Sequence, residues 1–370
     1  MNLYLLIIED EQAIIDDWAE KLEFYSAEEE PIYTIVPSYV KELGQAKSLL
    51  SNSSFDAAVI DIRLESADGK PNKDGNELFE MITQSSLTVS AVYTGEPEIV
   101  ELDEHQKEFT KVFEKGNGDI DGILNWLDEK ASMISAIKNM QANMKCEMAK
   151  VFSKSVWPRW TYWLDGKHEQ EFAEKALSRH MATHLHASFL NNDELGAHPE
   201  EYFFIPPLQD NLDTGDIIFD NGKLEIVVTP RCDMLRSKSD TPTYQLVTLL
   251  DKSEDWEKLE DKLKDRKETG TPKQIIAARN EIKKFTNHNG ETGGHFIQRF
   301  RKVVNNEEKT FGPFYAQFNL LRSIERSEEN STELLEKRIA SLSNEFVPSL
   351  VERLGAYFSR IGTPDYSHPE

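Results

Sequence analysis

The chain has 370 residues, enough for two or three domains, and its 39% hydrophobic and 10% aromatic residues are sufficient for packed cores. Its 66 Asp and Glu against 42 Lys and Arg give a formal net charge of −24, a surface that repels nucleic-acid phosphates and argues against a DNA-binding output. Two cysteines, Cys146 and Cys232, build no disulfide framework; no run of about 18 apolar residues reads as membrane-spanning; and the start MNLYLLIIEDEQ lacks the basic opening of a signal peptide. The expectation is a soluble protein of a reducing cytoplasm, with neither nucleic acid nor membrane as partner.

The first 130 residues alternate between two periods. Residues 3–8 are a continuous apolar run, as a strand buried on both faces requires. Residues 11–25 read as a helix with Ile14, Ile15, Trp18, Leu22 and Tyr25 on one side. Residues 32–36 read as a second strand, and 40–50 as a helix with Leu43, Ala46, Leu49 and Leu50 as its apolar side. Residues 57–60 form a third strand ending on Asp61, a helix starts within 77–82, and 89–93 and 111–113 are further strands. A helix over 119–129 carries Ile120, Ile123, Leu124 and Leu127. Strand–helix alternation of this length predicts a parallel sheet with helices on both faces. In that architecture a site forms outside the carboxyl ends of the strands.

Polar residues fall at those ends. Glu9, Asp10 and Glu11 follow the first strand, Asp61 the third and Thr94 the fourth, and Lys115 lies just beyond the fifth. Adjacent carboxylates are costly unless a cation sits among them, and a hard divalent ion such as Mg2+ takes oxygen ligands. A lysine and a hydroxyl beside them make a place for a phosphoryl group.

The ordered set LLIIEDE, DAAVIDIRL, DG, AVYTG and KVFEKG resembles the receiver domain of two-component response regulators over roughly residues 1–130. The resemblance implies a flavodoxin-like, doubly wound five-stranded parallel sheet. It implies that Asp10 and Asp61 bind Mg2+ directly, that Glu9 assists through water and that the backbone carbonyl of Arg63 supplies a further ligand. It also implies that Asp61 takes a phosphoryl group from a sensor histidine kinase, with Lys115 and Thr94 contacting the acyl phosphate. Three features depart from the family. The loop between Asp61 and the turn at Asp74 and Gly75 is longer, Gly116 follows Lys115 where proline is usual, and Val112 holds the aromatic switch position beside Phe113.

The rest of the chain divides, by expectation, into a helical connector over 131–165 and an α+β region over 166–370. In the connector, Ile134, Ile137, Met144, Met148, Val151 and Phe152 make an apolar side suited to core packing or a dimer seam. Trp157, Trp160, Tyr162 and Trp163 fit a hydrophobic cluster where domains meet. A helix over 168–190 carries His180, His184 and His186; His180 and His184 stand at metal-ligand spacing, but HMATH lacks the glutamate of HExxH, so a polar face or partner contact is the preferred reading. Residues 202–205, 216–219, 224–229 and 244–250 are strand candidates, with Asn221 and Gly222 turning a hairpin. Cys232 beside Arg231 is read as a buried structural cysteine rather than an activated thiolate. Residues 253–268 and 272–286 read as helices, the second capped by Thr271, and 287–295 as a glycine-rich turn. Residues 332–361 give the strongest helical pattern of this half.

Residues 131–370 carry no winged-helix, helix-turn-helix or nucleotide motif, and their general look resembles receiver-linked regions of bacterial phage-defence operons. The leading expectation is a phosphorelay regulator acting by protein contact, on another regulator or effector, or buffering phosphate, with a homodimer among its assemblies. The alternative is a receiver-controlled effector enzyme with a site within 160–310, around the histidines or Cys232.

Overall fold

Leu3, Leu5, Leu6, Ile7 and Ile8 of β1 (Asn2–Ile8) are all buried, because alternate side chains enter different cores. Leu3, Leu5 and Ile7 join one apolar cluster, and Leu6 and Ile8 the other. The computed structural model describes residues 1–64, 74–85, 88–102, 106, 110–116, 119–163, 170–190, 197–234, 242–304 and 307–360. The longer loop after Asp61 lies outside them. The chain forms two compact units, Met1–Asp193 and Glu194–Glu370. The boundary expected at residue 166 lies within the first.

After β1 come α1 (Gln12–Ser26), β2 (Thr34–Val40), α2 (Leu43–Asn52), β3 (Ala57–Ile60), α3 (Asp74–Ser85), β4 (Val89–Thr94), β5 (Thr110–Glu114) and α4 (Asp119–Glu129). The five strands are parallel in the order β2-β1-β3-β4-β5, the doubly wound order of flavodoxin-like folds. Trp18, Leu22 and Tyr25 of α1 and Ile120, Ile123, Leu124 and Leu127 of α4 cover one face. Ala46 of α2 and Phe79 and Ile82 of α3 cover the other. The second strand lies later than its pattern suggests, since pairing with β1 runs from Asn2↔Thr34 to Ile8↔Val40. Pro37 is tolerated there because β2 is an edge. Asp74 and Gly75 open α3 rather than forming a turn.

The connector is α5 (Ala131–Val151), followed by a π turn over Phe152–Val156, a 3-10 turn over Trp157–Arg159 and α6 (Trp160–Trp163). Pro158 and the change of helical pitch interrupt the rod there. Lys138 of α5 reaches back to the sheet, donating to the Asn2 carbonyl at 2.6 Å and to Asp56 at 2.7 Å. Then α7 (Gln170–Leu190) packs on α5.

The second unit contains β6 (Phe203–Phe204), β7 (Asp216–Asp220), β8 (Lys223–Val227), α8 (Arg231–Met234), β9 (Thr243–Asp251), α9 (Ser253–Thr269), α10 (Pro272–Thr286), β10 (Gly294–Ile297), β11 (Phe300–Val304), β12 (Glu307–Phe311), β13 (Phe314–Glu325), α11 (Glu328–Glu336), β14 (Arg338–Leu342) and α12 (Val347–Phe358). Seven strands form an antiparallel sheet, β10-β13-β9-β8-β7-β14-β6, and β11–β12 is a separate hairpin. The β7–β8 turn uses Asn221 (φ 48°) and Gly222 (φ 79°), the left-handed pair that a two-residue hairpin needs. Thr271 and Gln274 form a capping box at α10. The single helix expected over 332–361 is corrected: α11, β14 and α12 share that stretch, with Ala340 and Leu342 of β14 buried in the sheet.

His295 of β10 is 4% exposed, and burial first, then His288 and Arg353, push its pKa down to about 3. His288 accepts from the Phe296 N–H at 2.8 Å, and burial lowers it to about 4. Both are neutral in either state above pH ~6.5, so stability is full there. Below that, the unfolded chain takes up protons that the folded one refuses, and stability falls. His295 alone is expected to account for a loss of about 2–3 kcal/mol by pH ~4.5. Urea unfolding at a series of pH values should show the slope reduced in His295→Gln; an unchanged slope contradicts the assignment.

Candidate functional site

The site lies where β1, β3, β4 and β5 end. Backbone bonds fix its members: the Glu9 N–H donates to the Val40 carbonyl, the Asp61 N–H to the Ile8 carbonyl and the Lys115 N–H to the Thr94 carbonyl, each at 2.9 Å. Glu9 is 2% exposed, Asp61 4% and Thr94 1%. Lys115 Nζ stands 2.8 Å from Asp61 Oδ2 and 2.7 Å from Glu9 Oε2. Asp61 Oδ1 accepts from the Arg63 N–H at 3.1 Å, and Glu9 Oε1 from the Glu11 N–H at 3.1 Å. Asp10 is half-buried beside them.

One oxygen from each of Glu9, Asp10 and Asp61 lies within 4.8 Å of the others, the one such group of three among the described residues. Three carboxylates against one lysine leave an excess of two negative charges in a largely buried place. Burial pushes Glu9 up to about 7 despite its Lys115 hydrogen bond, and pushes Asp61 up as well. Burial draws Lys115 down, but its bonds to Asp61 and Glu9 outweigh that and raise it. An all-oxygen set with this unbalanced charge suits a hard divalent cation, whose charge would reverse the carboxylate shifts.

Sequence reasoning brought Glu9, Asp10, Asp61, Thr94 and Lys115 to one place, and the geometry puts them there. It missed two side chains nearby. Glu96 forms an ion pair with the side chain of Arg63, a residue expected only for its backbone carbonyl, and so links two loops that no periodicity relates. Tyr93 lies with its ring centroid 5.8 Å from Lys115 Nζ and 6.2 Å from that of Trp18. The Thr94 hydroxyl accepts from the Glu96 N–H at 3.3 Å. Val112 is half-buried against the α2–α3 core, and Phe113 packs edge-on against Trp126 in the opposite one.

The other candidates do not converge. His180 and His184 have ring centroids 4.3 Å apart, and His180 also meets Trp163 at 5.2 Å. Neither belongs to a group of three ligands among the described residues. Cys232 is exposed rather than buried, because it lies in the one-turn helix α8 outside the sheet. Its neighbour Arg231 is engaged by Asp213, with Nε 2.9 Å from Oδ1.

No family model matches the chain, and no curated protein does either. Among solved structures the chain is similar to a response regulator receiver domain protein (CheY-like) from Methanospirillum hungatei JF-1, at 19% identity and TM-score 0.27, covering 37% of this chain and 98% of that one. It is similar also to a receiver domain (CheY-like) from Methylobacillus flagellatus, at 22% identity and TM-score 0.28, covering 35% and 98%. A third is the Francisella response regulator 1452 receiver domain, at 17% identity and TM-score 0.28, covering 38% and 99%. The remainder of the chain has no counterpart in these three. The strand order β2-β1-β3-β4-β5 itself gives the first unit the flavodoxin-like fold that receiver domains have.

Proposed function

We propose that the first unit receives a phosphoryl group on Asp61 from a phosphohistidine of a sensor histidine kinase. The observation that carries this reading is the buried Asp61 carboxylate at a strand end, held 2.8 Å from Lys115 with Glu9 and Asp10 alongside. An oxygen of Asp61 attacks phosphorus, the P–N bond breaks, and the imidazole departs and is protonated from solvent. Lys115 offsets charge on the transferred group. Thr94 offers its hydroxyl once it turns from the Glu96 N–H. Glu9, Asp10, Asp61 and the Arg63 carbonyl would hold Mg2+, which when bound offsets repulsion between an anionic nucleophile and an anionic donor. Incubation with an autophosphorylated histidine kinase tests the partner: the label should move from kinase to this chain. A kinase panel that labels known receivers but never this chain would count against it.

The output in this reading is a protein contact or a phosphate buffer, not DNA binding, and a place in phage defence is part of the same proposal. The net charge of −24 supports only the exclusion of DNA binding, and no helix among the described residues is long and apolar enough to cross a membrane. Mg2+ titration is expected to change tryptophan fluorescence, because Trp18 adjoins Tyr93 and Tyr93 adjoins Lys115. Asp10→Asn should remove the response; an equal response in both proteins would refute the metal assignment.

A further inference from the structure

The stretch that follows α5 leaves more aromatic surface in water than a packed chain ordinarily does. Three of the chain's six tryptophans, Trp157, Trp160 and Trp163, fall within seven residues, with Tyr162 among them. Trp157 is 63% exposed and Tyr162 69%. In an α-helix, residues five apart point about 140° away from each other. Here the π turn over Phe152–Val156 closes on the Trp157 N–H, which donates to the Phe152 carbonyl, so Phe152 and Trp157 share one side. The Phe152 ring centroid lies 5.9 Å from that of Trp157 and 6.4 Å from that of Trp160. Helix α7 meets this stretch on one side, where Ser188 donates to Glu147 at 2.6 Å and the His180 ring stands 5.2 Å from that of Trp163. Residues 152–154, 157–159 and 161–162 are nevertheless all exposed.

We propose that this segment lies on an anionic lipid surface, its rings among the head groups and its cations against lipid phosphates. Charge selects the sign of the occupant. Residues 138–163 hold five Lys and Arg against one Glu, whereas residues 1–130 hold 10 Lys and Arg against 29 Asp and Glu. A basic patch on so acidic a chain is drawn to an anionic surface at short range, while the acidic remainder is held off it. Residue type selects lipid among anionic partners. Trp and Tyr beside Lys and Arg are the composition of the membrane–water interface, where a ring keeps one side apolar and one wet. Three lysines, Lys145, Lys150 and Lys154, stand here beside the single Arg159, and lysine is depleted where proteins meet proteins. On a lipid surface its stem lies along the apolar layer while the ammonium reaches the phosphates. Single-stranded nucleic acid requires open ring faces on which bases stack. Here Phe152, Trp157 and Trp160 are turned on one another, and the Arg159 guanidinium lies over the Tyr162 ring at 4.8 Å. The lack of a membrane-spanning run bears on crossing alone, since a surface segment binds through buried apolar area and attraction to anionic lipid.

Vesicle binding is read without a phosphodonor, so it stands or falls apart from phosphoryl transfer. The full-length chain should float with vesicles of mixed phosphatidylcholine and phosphatidylglycerol but not with phosphatidylcholine alone. Its tryptophan emission should move to shorter wavelength on binding, and added salt should weaken the binding. Trp157→Ala, and separately Lys145→Glu combined with Lys154→Glu, alter exposed positions. Each is expected to lower vesicle affinity about tenfold or more with unchanged helical circular dichroism. The two variants are independent, so if one fails to fold the other decides. A wild-type chain that stays off anionic vesicles overturns the proposal, including where it retains single-stranded RNA or an acidic protein instead. Equal binding to both kinds of vesicle, or binding that the folded variants leave intact, overturns it as well.

Discussion

Asp61→Asn is expected to abolish acquisition of a phosphoryl group while the fold persists. The substitution keeps shape and volume, so the buried position is retained, but it removes the charged oxygen that attacks phosphorus. The Asn carbonyl can still accept from the Arg63 N–H or from Lys115 Nζ, which now lie 3.1 and 2.8 Å from the carboxylate. Removing an anion from a site with excess negative charge should cost the fold little. Melting temperature and intact mass after exposure to a phosphodonor check the two halves of the statement. Labelling of the variant at the wild-type level would place the acceptor elsewhere.

The second large effect is on stability. Arg338→Ala is expected to destabilise the second unit by about 3–5 kcal/mol, a large share of the stability of a typical domain. Asp216 is 1% exposed, and Arg338 Nη1 lies 3.2 Å from its Oδ2. The same guanidinium donates to the Asn211 carbonyl at 3.0 Å and the Gln209 carbonyl at 2.6 Å, fixing the segment that leads into β7. Ser341 and the Asp213 N–H also donate to Asp216. Burial already pushes this carboxyl up against those bonds, so removing the arginine leaves a buried anion without its cation. Asp216→Asn should restore part of the loss in the double variant. Urea unfolding with hydrogen exchange read in β7 and β14 measures it, and a loss below about 1 kcal/mol would mean that the pair is not structurally important.

The site was legible because its residues are the first polar ones after buried strands. The run ending at Ile8 puts Glu9 and Asp10 at a strand end whatever surrounds them, and the same holds for Asp61 after Ile60. The ion pair of Arg63 with Glu96 was not legible, since it joins two loops through side-chain reach alone. In the second unit the helical spacing of Leu350, Val351, Leu354 and Phe358 was extended too far back. The short strand β14 is set by pairing with β7, 122 residues away along the chain where Arg338 meets Asp216, and local pattern carries little of that. The strand β13 was missed because its pairing with β9 shifts register between Ala316 and Leu321. Such a bulge breaks the two-residue alternation by which a strand is read.

Intact-mass analysis of the wild-type chain, incubated with Mg2+ and a small-molecule phosphodonor, tests the central claim most directly. One phosphoryl group should be gained, removable by alkaline treatment as an acyl phosphate, mapped to Asp61 and strongly slowed in Asp10→Asn. A wild-type chain that stays unlabelled under conditions that label other receivers, or that carries its label on another residue, contradicts the account.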